Sequence, residues 1–311
     1  PDLNWDNPAV RKEMQNVIRF WLELGVDGFR ADAVRWMSKD PGLRDDPVSP
    51  FFHGEKPVEF DDLQHRYSRF GPKLFDYLRE LTDVVAEFPD AIMVFEDYPD
   101  SLYSTEEQYL GFYGVNPEVS MPFNFEGLGA QFYADAFRTL VNEFQGMIDP
   151  DKHTPVYCFS NHDQHRIVTR YGGEEPARLI ALMQMTLPGL PVVYYGDELG
   201  MPNTEISWDQ VRDLSVFSSN DLSVGRDPER TPMQWHNGPG AGFTDADPWL
   251  PIGATVATHN VQTELHEPDS FLSLYRRLLR LRSQYEILRH GTYKPSGELD
   301  VDIFMYERWL E

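Results

Sequence analysis

The segment VDGFRAD, residues 26–32, decides the fold class of this sequence. It is short, carries strand-compatible side chains and runs into a charged tip, directly after the clearest helix pattern of the chain, residues 8–24. In that helix Asn7 can cap the first turn, Pro8 suits the first position, and apolar side chains recur at helical spacing until Gly25 ends it. We therefore predict a helix followed by a strand whose carboxyl end opens into a functional loop.

The same order of elements recurs along the chain. Three further apolar runs each end in polar residues, at residues 91–97, 155–160 and 191–195. Helical patterns separate or follow these runs, at residues 73–87, 130–145, 175–187 and 270–283. Buried strands that alternate with covering helices predict an α/β fold with a parallel sheet. Polar residues at the carboxyl ends of the strands predict a barrel or a doubly wound active site at that edge.

Two stretches interrupt this alternation. Residues 39–67 are rich in Pro, Asp and His, and residues 203–262 in Gly, Pro, Asp and Trp, which predicts two long active-site loops. From about residue 291 the pattern changes to short alternating strands, such as residues 301–306. We interpret this end as the first part of a β domain that the chain does not finish.

Composition and charge indicate a globular protein and disfavour nucleic-acid and membrane binding. The 311 residues are 41% hydrophobic and 14% aromatic, which is enough to bury a large core. The formal charge of −24 would repel nucleic acid and anionic membrane surfaces, whereas a neutral sugar would feel little of this field. No window approaches the about 20 apolar residues of a membrane span, and no signal peptide opens the chain, which does not begin with methionine.

A single cysteine, Cys158, cannot form an internal disulfide. It lies in an apolar run, which predicts a buried, inert thiol. The absence of a disulfide framework favours a reducing compartment, and we expect a cytoplasmic location.

Arg30 and Asp32 are the first candidate pair for chemistry. They are two positions apart on one predicted strand, so both side chains point to the same side at its carboxyl end. A guanidinium beside a carboxylate keeps it ionised and oriented, as a carboxylate nucleophile requires. Taken alone, the pair could equally be a surface ion pair.

Glu96 follows five apolar residues, an environment expected to raise its pKa, as a general acid at neutral pH requires. Alone it could be a loop entry or a helix cap. His162 and Asp163 follow another buried strand, where substrate hydroxyls would lie, although a lone histidine is more often structural. The nine histidines show no metal-ligand spacing, so we expect no metal site.

Three acidic strand ends in one alternating pattern are hard to obtain by chance. Glycoside cleavage with retention needs two carboxyl groups about 5 Å apart, one as nucleophile and one as acid. Asp32, Glu96 and Asp163 are the candidates for such a site.

Several segments together resemble glycoside hydrolase family 13, the α-amylase family, and within it the α-glucosidase and oligo-1,6-glucosidase group. The matching segments are residues 1–4, 28–34, the strand end at Glu96, and residues 159–163 and 189–198. The resemblance implies a partial (β/α)8 TIM barrel that holds strands 4 to 8, over residues 1–285. Residues 286–311 would then begin a C-terminal β-sandwich domain. A barrel without strands one to three leaves open sheet edges, so the chain alone could fail to fold or act.

The resemblance also implies roles for single residues. Asp32 would attack the anomeric carbon, Glu96 would act as acid and then base, and Asp163 would stabilise the distorted ring through its hydroxyls. Arg30 and His162 would complete the glucose subsite. The segment GRDPERTPMQW, residues 225–235, resembles that of exo-acting members, in which Arg230 would help to close the pocket over one glucose. Without the resemblance, Arg226 and Arg230 would be ordinary loop arginines.

The implied function is a retaining, exo-acting α-glucosidase that acts on oligosaccharides or disaccharides and uses no cofactor. Two alternatives stay open: a transglycosidase or isomerase of the same family, of the trehalose synthase or sucrose isomerase type, and a non-catalytic relative. Position 33 is often valine in related glucosidases that prefer α-1,6 links and threonine in those that prefer α-1,4 links. Ala33 decides neither, and the oligomeric state is also open.

Overall fold

The computed structural model describes residues 2–54, 62–98, 105–297 and 302–310. The chain divides into two compact units, which are described separately below. The first comprises Pro1–Asn124 with Gly146–Pro155, and the second Phe125–Gln145 with Val156–Glu311.

A three-stranded parallel sheet forms the centre of the first unit. Its strands are β1 (Gly28–Ala31), β2 (Ile92–Phe95) and β3 (Ser120–Pro122), in the order β1-β2-β3. Gly28 pairs with Ile92 and Ala31 with Phe95, so Asp32 and Glu96 leave their strands at the same edge. The Glu96 amide donates to the carbonyl of Ala31 at 2.9 Å, which fixes the two strand ends against each other.

Gly28 allows the close approach of β1 and β2. Its φ of +150° is rare for residues with a side chain, and a Cβ atom at this position would lie 2.1 Å from the carbonyl oxygen of Ile92. Only glycine fits such a contact without movement of the backbone.

Three helices cover this sheet: α1 (Pro8–Leu24), α2 (Leu74–Val85) and α3 (Glu106–Gly114). Asn7 caps α1 by accepting from the Ala9 amide, and Gly25 ends it in the left-handed conformation, as the sequence predicted. The core contains apolar side chains of the three helices and of β2, among them Leu22, Leu78, Val85, Phe95 and Phe112. Burial of this face holds the helices on the sheet.

The second unit contains a parallel pair of strands and a series of helices. The strands are β4 (Val156–Cys158) and β5 (Leu190–Val192). The helices are α4 (Glu126–Gly129), α5 (Ala134–Met147), α6 (Ile167–Arg170), α7 (Glu174–Thr186), α8 (Leu214–Ser219), α9 (Val261–Glu264), α10 (Phe271–Gln284) and α11 (Glu286–His290). Buried Arg282 on α10 donates to the carbonyls of Met185 and Leu187, each at 2.9 Å, and so joins α10 to the end of α7.

An antiparallel hairpin follows the last helix. It consists of β6 (Thr292–Ser296) and β7 (Met305–Trp309). Arg308 on β7 donates to the Thr186 carbonyl at 2.7 Å, so the hairpin is held against the end of α7 within the second unit.

The predicted α/β class with parallel strands is confirmed, and several predicted boundaries were wrong. The strand expected at residues 191–195 is β5, which begins at Leu190 and ends at Val192. The strand expected at residues 301–306 begins only at Met305, and Val301 lies outside the described residues. Pro1 of the segment 1–4, and residues 55–61 of the predicted loop 39–67, also lie outside them.

The predicted loops contain short elements that the composition did not reveal. The loop predicted at residues 203–262 contains α8, and α9 begins at its end. The numbering of the strands as 4 to 8 of a barrel, and the domain boundary at residues 285 and 286, stay predictions.

Candidate active site

In the first unit, one arginine links two carboxylates at the edge of the sheet. Arg30 Nη1 lies 2.7 Å from Asp32 Oδ1, and Arg30 Nη2 lies 2.6 Å from Glu96 Oε2. The structure thus brings together three of the residues that the sequence singled out, and the register of β1 against β2 explains why. A planar guanidinium that contacts both groups fixes their relative positions.

The two carboxylates differ sharply in environment. The Asp32 side chain is 69% exposed, whereas that of Glu96 is 9% exposed. Burial, and after it a hydrogen bond with Asp32, raise the pKa of Glu96 to about 7 against the opposing charge of Arg30. Glu96 is therefore suited to hold a proton near neutral pH, as predicted from its apolar run, while Asp32 is open to a ligand.

Ala33 has a backbone conformation that side-chain-bearing residues rarely adopt. Its φ is 46° and its ψ 40°, in the left-handed region. In this conformation its amide donates to Glu96 Oε2 at 3.3 Å. The unusual turn after Asp32 thus supplies a second donor to the buried carboxylate, and this donor opposes the raised pKa of Glu96.

A buried ion pair joins the segments that follow β1 and β2, and sequence reasoning did not predict it. Arg35 Nε donates to Asp97 Oδ1 at 2.5 Å, and both residues are buried. Burial raises the pKa of Asp97, while the charges of Arg35 and Arg69 oppose this. Since Arg35 follows β1 and Asp97 follows β2, the pair ties together the two segments that carry Asp32 and Glu96.

In the second unit, two arginines converge on Asp163. Its Oδ1 atom accepts from Arg226 Nη1 at 3.0 Å and from Arg230 Nη2 at 2.6 Å. His162 Nε2 lies 3.5 Å from Asp163 Oδ2, and the His162 carbonyl accepts from Arg230 Nε at 2.7 Å. Two guanidinium groups on one oxygen fix the orientation of this carboxylate.

Sequence reasoning identified Arg230 here and passed over Arg226. Arg226 in turn is held by Asp213, whose Oδ2 accepts from its Nε at 2.8 Å. The segment 225–235 contained a signal, because its two arginines are four residues apart, but Asp213 lies outside that segment. The structure brings together His162, Asp163 and Arg230, and their place in a glucose subsite stays a prediction.

A buried carboxylate fixes the loop that follows β5. Asp197 accepts hydrogen bonds from the Ser160 hydroxyl and, at 3.2 Å, from the Tyr194 amide. Burial raises the pKa of Asp197 to about 6, although these hydrogen bonds oppose the shift. Ser160 directly follows the β4 region that contains Cys158, whose predicted burial is confirmed. The contact joins the ends of β4 and β5 near the segment that carries Asp163.

Within residues 2–54, 62–98, 105–297 and 302–310, no three His, Cys, Asp or Glu side chains are grouped so as to hold a metal ion. Over the same ranges, no helix combines the length and the apolar character needed to cross a membrane.

Comparisons with known proteins extend over the whole chain. A family model described as alpha amylase, catalytic domain, matches residues 1–291. The α-glucosidase of Apis mellifera is 34% identical over 289 residues, which cover 91% of this chain and 49% of that protein. The oligo-1,6-glucosidase of Parageobacillus thermoglucosidasius is 33% identical over 346 residues, which cover 100% of this chain and 59% of that protein.

A solved structure has a fold similar to that of this chain. The crystal structure of an α-glucosyl transfer enzyme matches with a TM-score of 0.89 and 28% identity, over 100% of this chain and 58% of that one. The chain therefore spans about half to three-fifths of the length of these relatives.

Proposed function

Since this chain belongs to the α-amylase family through its catalytic domain, we propose that the protein is a retaining, exo-acting α-glucosidase. Its substrates would be disaccharides or short oligosaccharides with a terminal α-linked glucose. The single observation that carries the proposal is the pair of carboxylates on Arg30, of which Asp32 is exposed and Glu96 is buried with a raised pKa. Two carboxylates in unlike environments are what an acid and a nucleophile require.

In the first step, Asp32 attacks the anomeric carbon while Glu96 gives its proton to the glycosidic oxygen. The bond between carbon and leaving oxygen breaks, the aglycone leaves as an alcohol, and glucose stays covalently bound to Asp32. Arg30 supports this step because its charge favours the ionised form of Asp32.

In the second step, the ionised Glu96 accepts a proton from water. The water oxygen attacks the anomeric carbon, the bond to Asp32 breaks, and glucose is released with its original α configuration. A pKa of about 7 suits Glu96 to both steps, because it can hold the proton and also accept one near neutral pH.

Asp163 would accept hydrogen bonds from ring hydroxyls of the glucose. Arg226 and Arg230 both donate to its Oδ1 atom and so fix the orientation of a group whose oxygens are hydrogen-bond acceptors. His162 would donate to a hydroxyl of the same sugar, and Arg230 would limit the pocket to one terminal glucose. These contacts would strengthen as the ring flattens toward the transition state.

Further parts of the proposal rest on composition and on resemblance. The formal charge of −24 favours a neutral sugar over nucleic acid as partner, and the single cysteine favours a cytoplasmic location. We assign residues 1–285 to strands 4 to 8 of a (β/α)8 barrel and residues 286–311 to the start of a β-sandwich domain.

Glucosyl transfer is the second candidate. The match to an α-glucosyl transfer enzyme at a TM-score of 0.89 favours it. The first step would be the same, and an acceptor sugar would replace water in the second. Hydrolysis and transfer therefore share Asp32 and Glu96 and differ in the products.

The test is release of p-nitrophenol from p-nitrophenyl α-glucoside by the parent protein and by Asp32→Asn. We expect the variant to lose activity by at least about 10⁴-fold, as enzymes do when a covalent nucleophile is removed. Asp27→Asn is the matched control, since Asp27 is exposed near the opposite end of β1. Circular dichroism confirms that all three proteins are folded.

Chromatography of the products from maltose and isomaltose separates the two candidates. Free glucose alone supports hydrolysis, whereas new oligosaccharides support transfer. A folded parent that releases no p-nitrophenol and converts neither sugar would contradict both.

A further inference from the structure

Asp213 is a buried carboxylate outside the predicted site. It is 8% exposed and directly precedes α8. Its Oδ1 atom accepts from the Ser215 amide at 3.1 Å and so caps this helix. A cap needs only one acceptor, so it leaves the rest of the carboxylate for other partners.

The remaining acceptor positions of Asp213 face Arg226. Asp213 Oδ2 accepts from the Arg226 amide at 3.0 Å and from Arg226 Nε at 2.8 Å, and Oδ1 lies 3.4 Å from Nη2. One edge of the guanidinium is thereby occupied by Asp213. Nη1, on the other edge, donates to Asp163 at 3.0 Å.

The backbone at Asp213 is itself fixed. The carboxylate of Asp227, which is 3% exposed, accepts from the amides of Arg212 and Asp213 at 2.6 and 2.9 Å. Asp213 therefore occupies one position relative to the loop that carries Arg226. The Asp213 side chain is a rigid anchor in a region of loops and short helices.

Arg226 depends on such an anchor. Its side chain is 42% exposed, and a free arginine side chain has many conformations in water. The guanidinium lowers the pKa of Asp213 well below its usual range, so the pair stays charged throughout the working range of an enzyme. Because Asp213 already holds the Arg226 guanidinium, Nη1 points toward Asp163 before the reaction. The arginine side chain therefore loses no further conformational entropy during the reaction.

We propose that Asp213 is a positioning residue that orients Asp163 through Arg226. This inference rests on the proposed function, in which Asp163 binds ring hydroxyls of the glucose. Asp213 touches no substrate in this scheme. It sets the direction of one of the two guanidinium groups that fix the Asp163 carboxylate.

The first test replaces Asp213 by asparagine. Asparagine caps helices as well as aspartate does, so the substitution removes the charge and leaves the cap. We expect kcat for p-nitrophenyl α-glucoside to fall about tenfold while KM changes by less than about twofold, because Asp163 would act chiefly on the distorted ring. Because the lowered pKa of Asp213 means that its charge stabilises the folded state, the thermal midpoint should fall, so kcat is measured at a temperature at which both proteins are folded.

Asp221→Asn is the matched control. Asp221 precedes a short 3₁₀ helix and accepts from the Ser223 amide at 2.8 Å, as Asp213 does from Ser215, but it is exposed. Its substitution should leave kcat unchanged. An equal loss in both variants would show that capping, and not the link to Arg226, matters, and would overturn the proposal.

The second test asks whether Asp213 acts through Arg226. Arg226→Gln alone should lower kcat at least as much as Asp213→Asn, and the double variant should lose no more than Arg226→Gln does. Independent, multiplying losses in the double variant would overturn the proposal.

Two further outcomes are decisive. Should the asparagine variant not fold, Asp213→Ser, which also retains a cap, takes its place, and failure of both variants to fold would make Asp213 a structural residue and overturn the proposal. An active parent with an unchanged Asp213→Asn variant refutes the inference alone. A folded parent without activity refutes the proposed function, and the inference with it.

Discussion

Replacing Glu96 by glutamine should make the protein more stable at pH 8 while it abolishes activity. The physical reason is the burial of Glu96, which raises its pKa from the ordinary 4.5 to about 7. Below pH 4.5 the group is protonated in both the folded and the unfolded chain. Between pH 4.5 and 7 the unfolded chain ionises first, so the folded state loses stability as the pH rises.

The size of this loss follows from the two pKa values. Each pKa unit corresponds to about 1.4 kcal/mol, so a rise from 4.5 to about 7 costs about 3 kcal/mol of unfolding free energy above pH 7. Glutamine does not ionise and avoids this cost. About 3 kcal/mol is a large part of the roughly 5–15 kcal/mol by which most proteins are stable, so the effect is measurable.

The assay is urea unfolding of the parent and of Glu96→Gln at pH 4.5 and pH 8. The stability advantage of the variant should be near zero at pH 4.5 and should grow to about 3 kcal/mol at pH 8. Glu118→Gln is the matched control, because Glu118 is exposed near β3 and should show no such growth. A stability advantage of equal size at both pH values, or a variant that is less stable than the parent at pH 8, would refute the claim that burial raises the pKa of Glu96.

Two further predictions concern Glu96 and the pairing of β1 with β2. Because Glu96 must carry a proton to act as acid and its pKa is about 7, kcat/KM should fall about tenfold for each pH unit above this value, which a pH–rate profile on p-nitrophenyl α-glucoside checks. Gly28→Ala should cost more than about 3 kcal/mol, because its Cβ would lie 2.1 Å from the Ile92 carbonyl oxygen, whereas Gly25→Ala, which has open space, should cost about 1 kcal/mol. Urea unfolding of both variants checks this, and equal losses would contradict the steric account.

Local patterns allowed the strand ends to be predicted. The strands before Asp32 and Glu96 were predicted from short apolar runs that end in charged residues. The helices were predicted from the helical spacing of their apolar residues. β3 escaped prediction because Ser120–Pro122 does not lie in a continuous apolar run, whereas β5, which is equally short and also contains a proline, overlaps the run 191–195. β3 is a strand only because it pairs with β2, and such pairing is a property of the folded chain.

In the candidate site, contacts between residues close in sequence could be predicted, and contacts between distant loops could not. Arg30 lies on β1 and Asp32 directly follows it, so their ion pair agrees with the alternation of side chains that the sequence predicted. The link from Asp213 through Arg226 to Asp163 joins loops that are separated by 13 and 63 residues in sequence. Loops carry no periodic signal, so only the folded structure brings these groups into contact.

The left-handed turn at Ala33 limits which side chains position 33 can hold. Valine and threonine, the residues that the resemblance to the glucosidases suggested as alternatives here, are the clearest cases. Both are β-branched, and at a φ of 46° a β-branched side chain meets severe steric strain. Substitution of Ala33 by either residue would therefore require a second change that moves the turn away from positive φ. That same movement would withdraw the Ala33 amide from Glu96. The size of the side chain at position 33 is therefore coupled to the hydrogen bonding of Glu96.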